Sequence, residues 1–137
     1  MAEAYLNLLG RGEYEAHSAG MEPREINPYV AEVLREDGVA VPEAGPQSVF
    51  EVFRKGQLFH FVVTVCAEAE ASCPIFPGVT HRLHLPFPDP ASFTGTREEI
   101  LAGTREVRDA VKEKVKEFIS WCDAGCEAPL TGAAKQP

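Results

Sequence analysis

The sequence predicts an α/β domain of three layers, with helices on both sides of a small parallel sheet. Three observations carry that expectation. Leu58-Phe59-His60-Phe61-Val62-Val63-Thr64-Val65 is β-branched, aromatic and almost continuously apolar, the pattern of a strand buried on both faces. Helical and strand-like segments alternate along the chain, as layered α/β domains require. A long amphipathic helix, with Ile100, Leu101, Thr104, Val107, Val111, Val115, Phe118 and Ile119 on one stripe, supplies an outer layer.

The elements follow in order. Met1, Tyr5, Leu8 and Leu9 recur at helical spacing and stop at Gly10, expected as a left-handed cap. Tyr14–Ser18 is a short strand candidate. Asn27-Pro28 starts a helix, because Asn caps and Pro at the first helical position loses no hydrogen bond. Val30, Val33 and Leu34 form its face and Gly38 ends it. Ser48-x-x-Glu51 is a capping box opening a short helix that closes at Gly56, and Thr96-x-x-Glu99 is another, opening the long helix. Val79–Leu85 is the second strand of the sheet. Residues 1–121 make one domain, and 122–137, small, polar and rich in Gly and Pro, a flexible tail.

Composition narrows the function. Of 137 residues, 45% are hydrophobic and 25% charged, a globular balance, and 13 Lys and Arg against 21 Asp and Glu leave a net charge of −8. That excludes a basic nucleic-acid footprint and disfavours an anionic membrane surface. No apolar run is long enough for a membrane span and no signal peptide opens the chain, so a cytoplasmic protein is expected. Its four cysteines then read as reduced, catalytic or metal-binding thiols rather than structural disulfides.

Cys66 directly ends the buried strand, where ligands of open parallel sheets bind, and Cys73 follows across an Ala-rich loop. Two thiols flanking such a loop meet only if it deforms, which suits a transient disulfide; the alternative is a pair of small buried hydrophobes. Asp89, in Pro86-Phe87-Pro88-Asp89-Pro90, is placed either as a general acid or as a turn former. Glu68 and Glu70 read as a solvated loop face. His17, His60, His81 and His84 do not make a ligand set, Cys122-x-x-x-Cys126 has no nearby His in sequence, and Gly10-x-Gly12 lacks the third glycine of a dinucleotide site. No metal or cofactor is expected.

Together these residues resemble the thioredoxin-coupled arsenate reductases, a branch of the low-molecular-weight protein tyrosine phosphatase superfamily. The matching segments are Met1-Ala2-Glu3-Ala4, His17-Ser18-Ala19-Gly20-Met21-Glu22-Pro23, Asn27-Pro28, Val62–Cys66 with Cys73-Pro74, Phe87–Pro90 and Arg105–Asp109. The paired cysteines are the specific element: the phosphatases lack them, and usually carry an aromatic residue where this chain has Ala91. The resemblance implies a low-molecular-weight phosphatase-like fold and arsenate, a phosphate-like oxyanion, as substrate. It also implies a thiol relay in which Cys66 attacks the arsenylated loop cysteine, Cys73 resolves the mixed disulfide, thioredoxin reduces the pair and Asp89 is the general acid. On that reading, oxidation links Cys66 to Cys73 in preference to Cys122 or Cys126.

The family's Cys-x5-Arg loop is not in this sequence. Six positions after Cys66, Cys73, Cys122 and Cys126 stand Ser72, Val79, Ala128 and Gly132. The loop and the strand before it are expected upstream of Met1, lost through a start assigned too late; the alternatives are a degenerate relative acting as a dithiol or interaction module, and a low-molecular-weight phosphatase relative in which the cysteine pair is accidental. Glu3 and Ser18 fall at two positions that hold potassium in some members, but Gln47 replaces an acidic ligand, so no ordered ion is expected. His60 stands where the family usually has Asp, and Cys122 and Cys126 have no family counterpart.

Overall fold

The computed structural model describes residues 1–22, 24–41, 47–127 and 130. Pro23, and residues 128, 129 and 131–137 of the expected tail, lie outside them. The elements run α1 (Ala2–Leu9), α2 (Pro28–Glu36), α3 (Val49–Arg54), β1 (Phe61–Thr64), α4 (Ala67–Ser72), β2 (His81–His84), a 3-10 turn (Pro90–Ser92) and α5 (Arg97–Asp123). They fall into two compact units, one holding α1, α2, the 3-10 turn and α5, the other α3, β1, α4 and β2. Among the described residues no helix is long and apolar enough to cross a membrane.

The unit built on α5 is all helical. Thr96 caps α5 by accepting from the Glu99 amide at 3.2 Å, as its capping box predicts, and Asn27 caps α2 by accepting from the Tyr29 amide at 2.8 Å. Leu101, Val107, Val111, Val115 and Phe118 are buried at helical spacing and pack with Val33, Leu34 and Tyr5 as the core. Polar groups inside it are satisfied. Thr104, wholly buried, donates back to the Ile100 carbonyl at 2.7 Å, and Tyr5 donates to Asp37 at 2.7 Å. Lys112 donates to the same carboxylate at 3.0 Å, while Glu36 accepts from both Arg105 and Arg108. These bonds hold the Asp37 and Glu36 carboxyls below their ordinary values.

Two expectations fail here. Gly10 is not a left-handed cap: its φ is −75°, and the positive φ values follow at Arg11 and Gly12. Glycine is needed at position 10 for closeness instead, since a Cβ there would stand 2.6 Å from the Leu6 carbonyl oxygen and 2.7 Å from the Tyr14 ring. Tyr14–Ser18 is not a strand, for Tyr14 turns its ring onto Phe118 with centroids 6.3 Å apart.

In the second unit β1 and β2 pair in parallel, with Phe61 opposite His81 and Thr64 opposite His84. The parallel sheet within a mixed helix and strand fold is the expected class, and α4 lies in the crossover that parallel pairing demands. The strand is shorter and less buried than its composition predicts: Val63 is 39% and Val65 41% exposed. The apolar core is a cluster of Val49, Val52 and Phe76, with Phe53 and Phe59 meeting the Phe76 ring edge-on at 5.6 and 5.5 Å.

Candidate functional site

The segment between Cys66 and Cys73 is a helix, not a loop. Ala67-Glu68-Ala69-Glu70-Ala71 alternates the strongest helix former with a good one, and both glutamates sit in the first turn, where the helix dipole favours negative charge. That propensity is local and is written in the sequence. Cys66 is the N-cap residue, exposed, its Sγ accepting from the Ala69 amide at 3.4 Å. Cys73 is the C-cap residue, its amide donating to the Ala69 carbonyl at 2.9 Å.

The two thiols therefore sit at opposite ends of α4. Seven helical steps span about 10 Å, beyond the roughly 7 Å that a disulfide bridges between Cα atoms. Both are free thiols. Cys66 is open to solvent, whereas Cys73 is half-buried against the Val49–Val52–Phe76 cluster. Burial pushes the Cys73 thiol up, and the Arg82 guanidinium partly offsets this. Arg82, on β2, also donates to the Cys73 carbonyl at 3.2 Å and the Pro74 carbonyl at 3.4 Å, fixing the end of α4 against the sheet.

The other end of α4 is fixed by a polar cluster that the sequence did not reveal. Thr64, 3% exposed on β1, has its hydroxyl 2.7 Å from a Glu70 carboxylate oxygen and 2.8 Å from His84 Nδ1. A hydroxyl has one proton and a carboxylate only accepts, so Thr64 donates to Glu70 and accepts from His84, which assigns the Nδ1–H tautomer. His84 also lies 3.5 Å from the Glu70 carboxylate. Glu70 is thus a tether between α4 and both strands rather than part of a solvated face.

Asp89 lies in the helical unit. It is exposed and caps the 3-10 turn, accepting from the Ala91 amide at 3.0 Å, while Ser92 donates to its carbonyl at 2.6 Å. The turn-forming role foreseen for it is present, and one carboxylate oxygen is left over for other chemistry. Among the described residues no group of three or more His, Cys, Asp or Glu is placed to hold a metal ion.

No family model matches the chain. Known proteins are nonetheless close. The arsenate reductase of Halalkalibacterium halodurans is 34% identical over 119 residues, covering 86% of this chain and 84% of that protein. That of Bacillus subtilis is 32% identical over 119 residues with the same coverage, 86% and 84%. Among solved structures, the arsenate reductase of Archaeoglobus fulgidus is 33% identical with a TM-score of 0.56, covering 85% of this chain and 88% of that one. An arsenate reductase in its reduced state aligns with a TM-score of 0.69 at 22% identity, over 88% of this chain and 86% of that one, a likeness of fold. With about a third of the 119 aligned residues identical to those of curated members across most of their length, this chain belongs to the arsenate reductase family.

Proposed function

We propose that this chain carries the thiol relay of a cytoplasmic arsenate reductase, with thioredoxin as its reductant. The observation that carries the reading is the 119-residue likeness to arsenate reductases in a chain whose Cys66 stands two residues past a parallel strand and whose Cys73 follows seven positions later. Arsenate bonded to a nucleophilic cysteine is the species the relay acts on. Cys66 attacks that sulfur; the sulfur–arsenic electron pair passes to arsenic, arsenite leaves, and a disulfide to Cys66 forms. Cys73 then attacks Cys66, freeing the first cysteine as thiol, and a thioredoxin dithiol takes over the Cys66–Cys73 bridge by exchange. Asp89 gives the proton that the departing oxygen needs.

The nucleophile itself requires a Cys-x5-Arg loop, and this sequence holds none. An ordinary thiol of pKa about 8.5 is mostly protonated at neutral pH. A preorganised oxyanion donor is worth about 10²–10³ in rate, and a loop of amides supplies several. The 137-residue chain alone therefore has no turnover. Arsenite release with thioredoxin tests this on two proteins: the chain as it stands, and the chain fused after the strand and Cys-x5-Arg loop of a relative. Turnover only in the fusion is expected. Turnover by the short chain, abolished by Cys66→Ser, would show that its nucleophile is Cys66 and that the relay assignment is wrong. Asp89→Asn in the fusion keeps the cap but not the proton, so turnover falls while stability holds.

A further inference from the structure

Cys122 and Cys126 lie outside the relay, and the end of α5 brings them together. The helix runs to Asp123 and then closes on itself: the Ala124 amide donates to the Ser120 carbonyl, Gly125 to Cys122 and Cys126 to Trp121, each at 3.0 Å. The last is the six-to-one bond of a Schellman turn, and it folds the backbone back over the final helical turn. Gly125 takes φ +97°, which suits glycine, but Cys126 takes φ 61°, an unfavourable region for a residue with a Cβ. That backbone leaves the two cysteines one turn apart, about 6 Å by the helical rise and inside the roughly 7 Å that a disulfide bridges between Cα atoms. Cys126 and Tyr14 both act on the Cys122 thiol, Cys126 pushing its pKa up and the Tyr14 hydroxyl pulling it down. Both cysteines are half-buried, while Asp123, Ala124 and Gly125 between them are exposed.

We propose that Cys122 and Cys126 are a second redox centre, a dithiol that closes to an intramolecular disulfide on meeting a small disulfide such as oxidised glutathione. The proposal uses neither Cys66 nor Cys73 and stands apart from the relay. Burial and the neighbouring Cys126 push the Cys122 thiol up to about 11, so Cys122 is held protonated and Cys126 is the entry point. The Cys126 thiolate attacks one glutathione sulfur and expels a glutathione thiolate. Cys122, giving up its proton with the Tyr14 hydroxyl beside the forming thiolate, attacks the Cys126 sulfur and expels the second glutathione. One protein disulfide forms, two glutathione thiols are produced, and the two protons and two electrons of the protein dithiol end on them. No helix has to unwind, because the two cysteines lie within one turn of each other. Cys66 and Cys73 can bridge only after α4 unwinds, so in this chain the 122–126 bridge forms first, reversing the order expected from sequence.

The test is the full reduced chain incubated with oxidised glutathione, alkylated at intervals and mapped by mass spectrometry. The expected result is early loss of two hydrogens and of both alkylation sites in the peptide holding Cys122 and Cys126, with Cys66 still alkylated. The single tryptophan, Trp121, adjoins the centre, so its fluorescence should change in step and return on reduction. In Cys122→Ser a stable glutathione adduct should remain on Cys126, and in the Cys66→Ser, Cys73→Ser double variant the 122–126 bridge should persist. Separate glutathione adducts on Cys122 and Cys126 with no bridge, or a dominant 66–73 bridge with both C-terminal thiols alkylated, would overturn the proposal.

Discussion

Cys66 and Cys73 are held apart, and Cys122 and Cys126 are held together, although each pair flanks helical backbone. Between the first pair lies a complete short helix, anchored at one end by Thr64, Glu70 and His84 and at the other by Arg82. The second pair straddles a helix end, where a left-handed residue reverses the chain. The difference teaches that spacing in sequence does not set the reactivity of a dithiol. What sets it is the structure that must be lost before the sulfurs meet. The α4 pair can meet only if the helix between its cysteines is lost, whereas the α5 pair needs no such loss.

Removing what holds α4 should have the largest effect. Phe76, 6% exposed, is the centre of the cluster that Cys73 packs on. Phe76→Ala should cost about 3–5 kcal/mol of stability, measured by urea unfolding. It should also speed alkylation of Cys73 far more than that of Cys122. Equal acceleration of both thiols would mean that the two pairs are not separately held.

Glu70→Ala comes next. It takes from the buried Thr64 hydroxyl its nearer acceptor and leaves the Leu83 carbonyl at 3.4 Å, a loss of roughly 1–2 kcal/mol. Because each 1.4 kcal/mol is about tenfold in an equilibrium, the Cys66–Cys73 bridge should gain roughly tenfold in glutathione redox buffers while the Cys122–Cys126 bridge is unmoved. Glu70→Gln keeps an acceptor and should fall between.

The α5 pair is best examined through pH. The Cys122 thiol sits at about 11 against an ordinary value of 9.0, so its alkylation should keep rising with pH after that of an ordinary thiol has levelled. The folded state binds this proton more tightly than the unfolded one, so its contribution to stability is full below about pH 9 and is lost as pH rises towards 11. Tyr14→Phe removes the donor to the Cys122 thiolate and should move its alkylation profile to still higher pH. A profile that levels near pH 9 would contradict the burial described at Cys122.

The smallest effect serves as the control. Thr96→Ala removes the cap of α5 at its far end and should cost about 1 kcal/mol without altering either pair's redox behaviour.

Local chemistry explains what could be read from the sequence. The Asn27-Pro28 and Thr96 caps act within three residues of themselves, so both helix starts stand where the pattern put them. β1 was legible because Phe61-Val62-Val63-Thr64 is β-branched and aromatic, whereas β2, His81–His84, holds no β-branched residue and the expected run Val79–Leu85 overshoots it at both ends. Tyr14 was misread because its environment is set by Phe118 and Cys122, remote in sequence. Thr64, Glu70 and His84 likewise meet only after the parallel strands align, and nothing in any one segment announces them. At the candidate site, then, the thiols and Asp89 were visible as chemistry, while the anchors that determine how the thiols meet were not.

The assignment of Cys66 and Cys73 as successive relay thiols is tested most directly by stoichiometry. Cys73→Ser in the fusion protein carrying a Cys-x5-Arg loop, given arsenate and excess thioredoxin, should release at most one arsenite per chain. It should stop as a disulfide between the loop cysteine and Cys66. Sustained arsenite release from that variant, or a stalled protein in which Cys66 is still a free thiol, would contradict the relay.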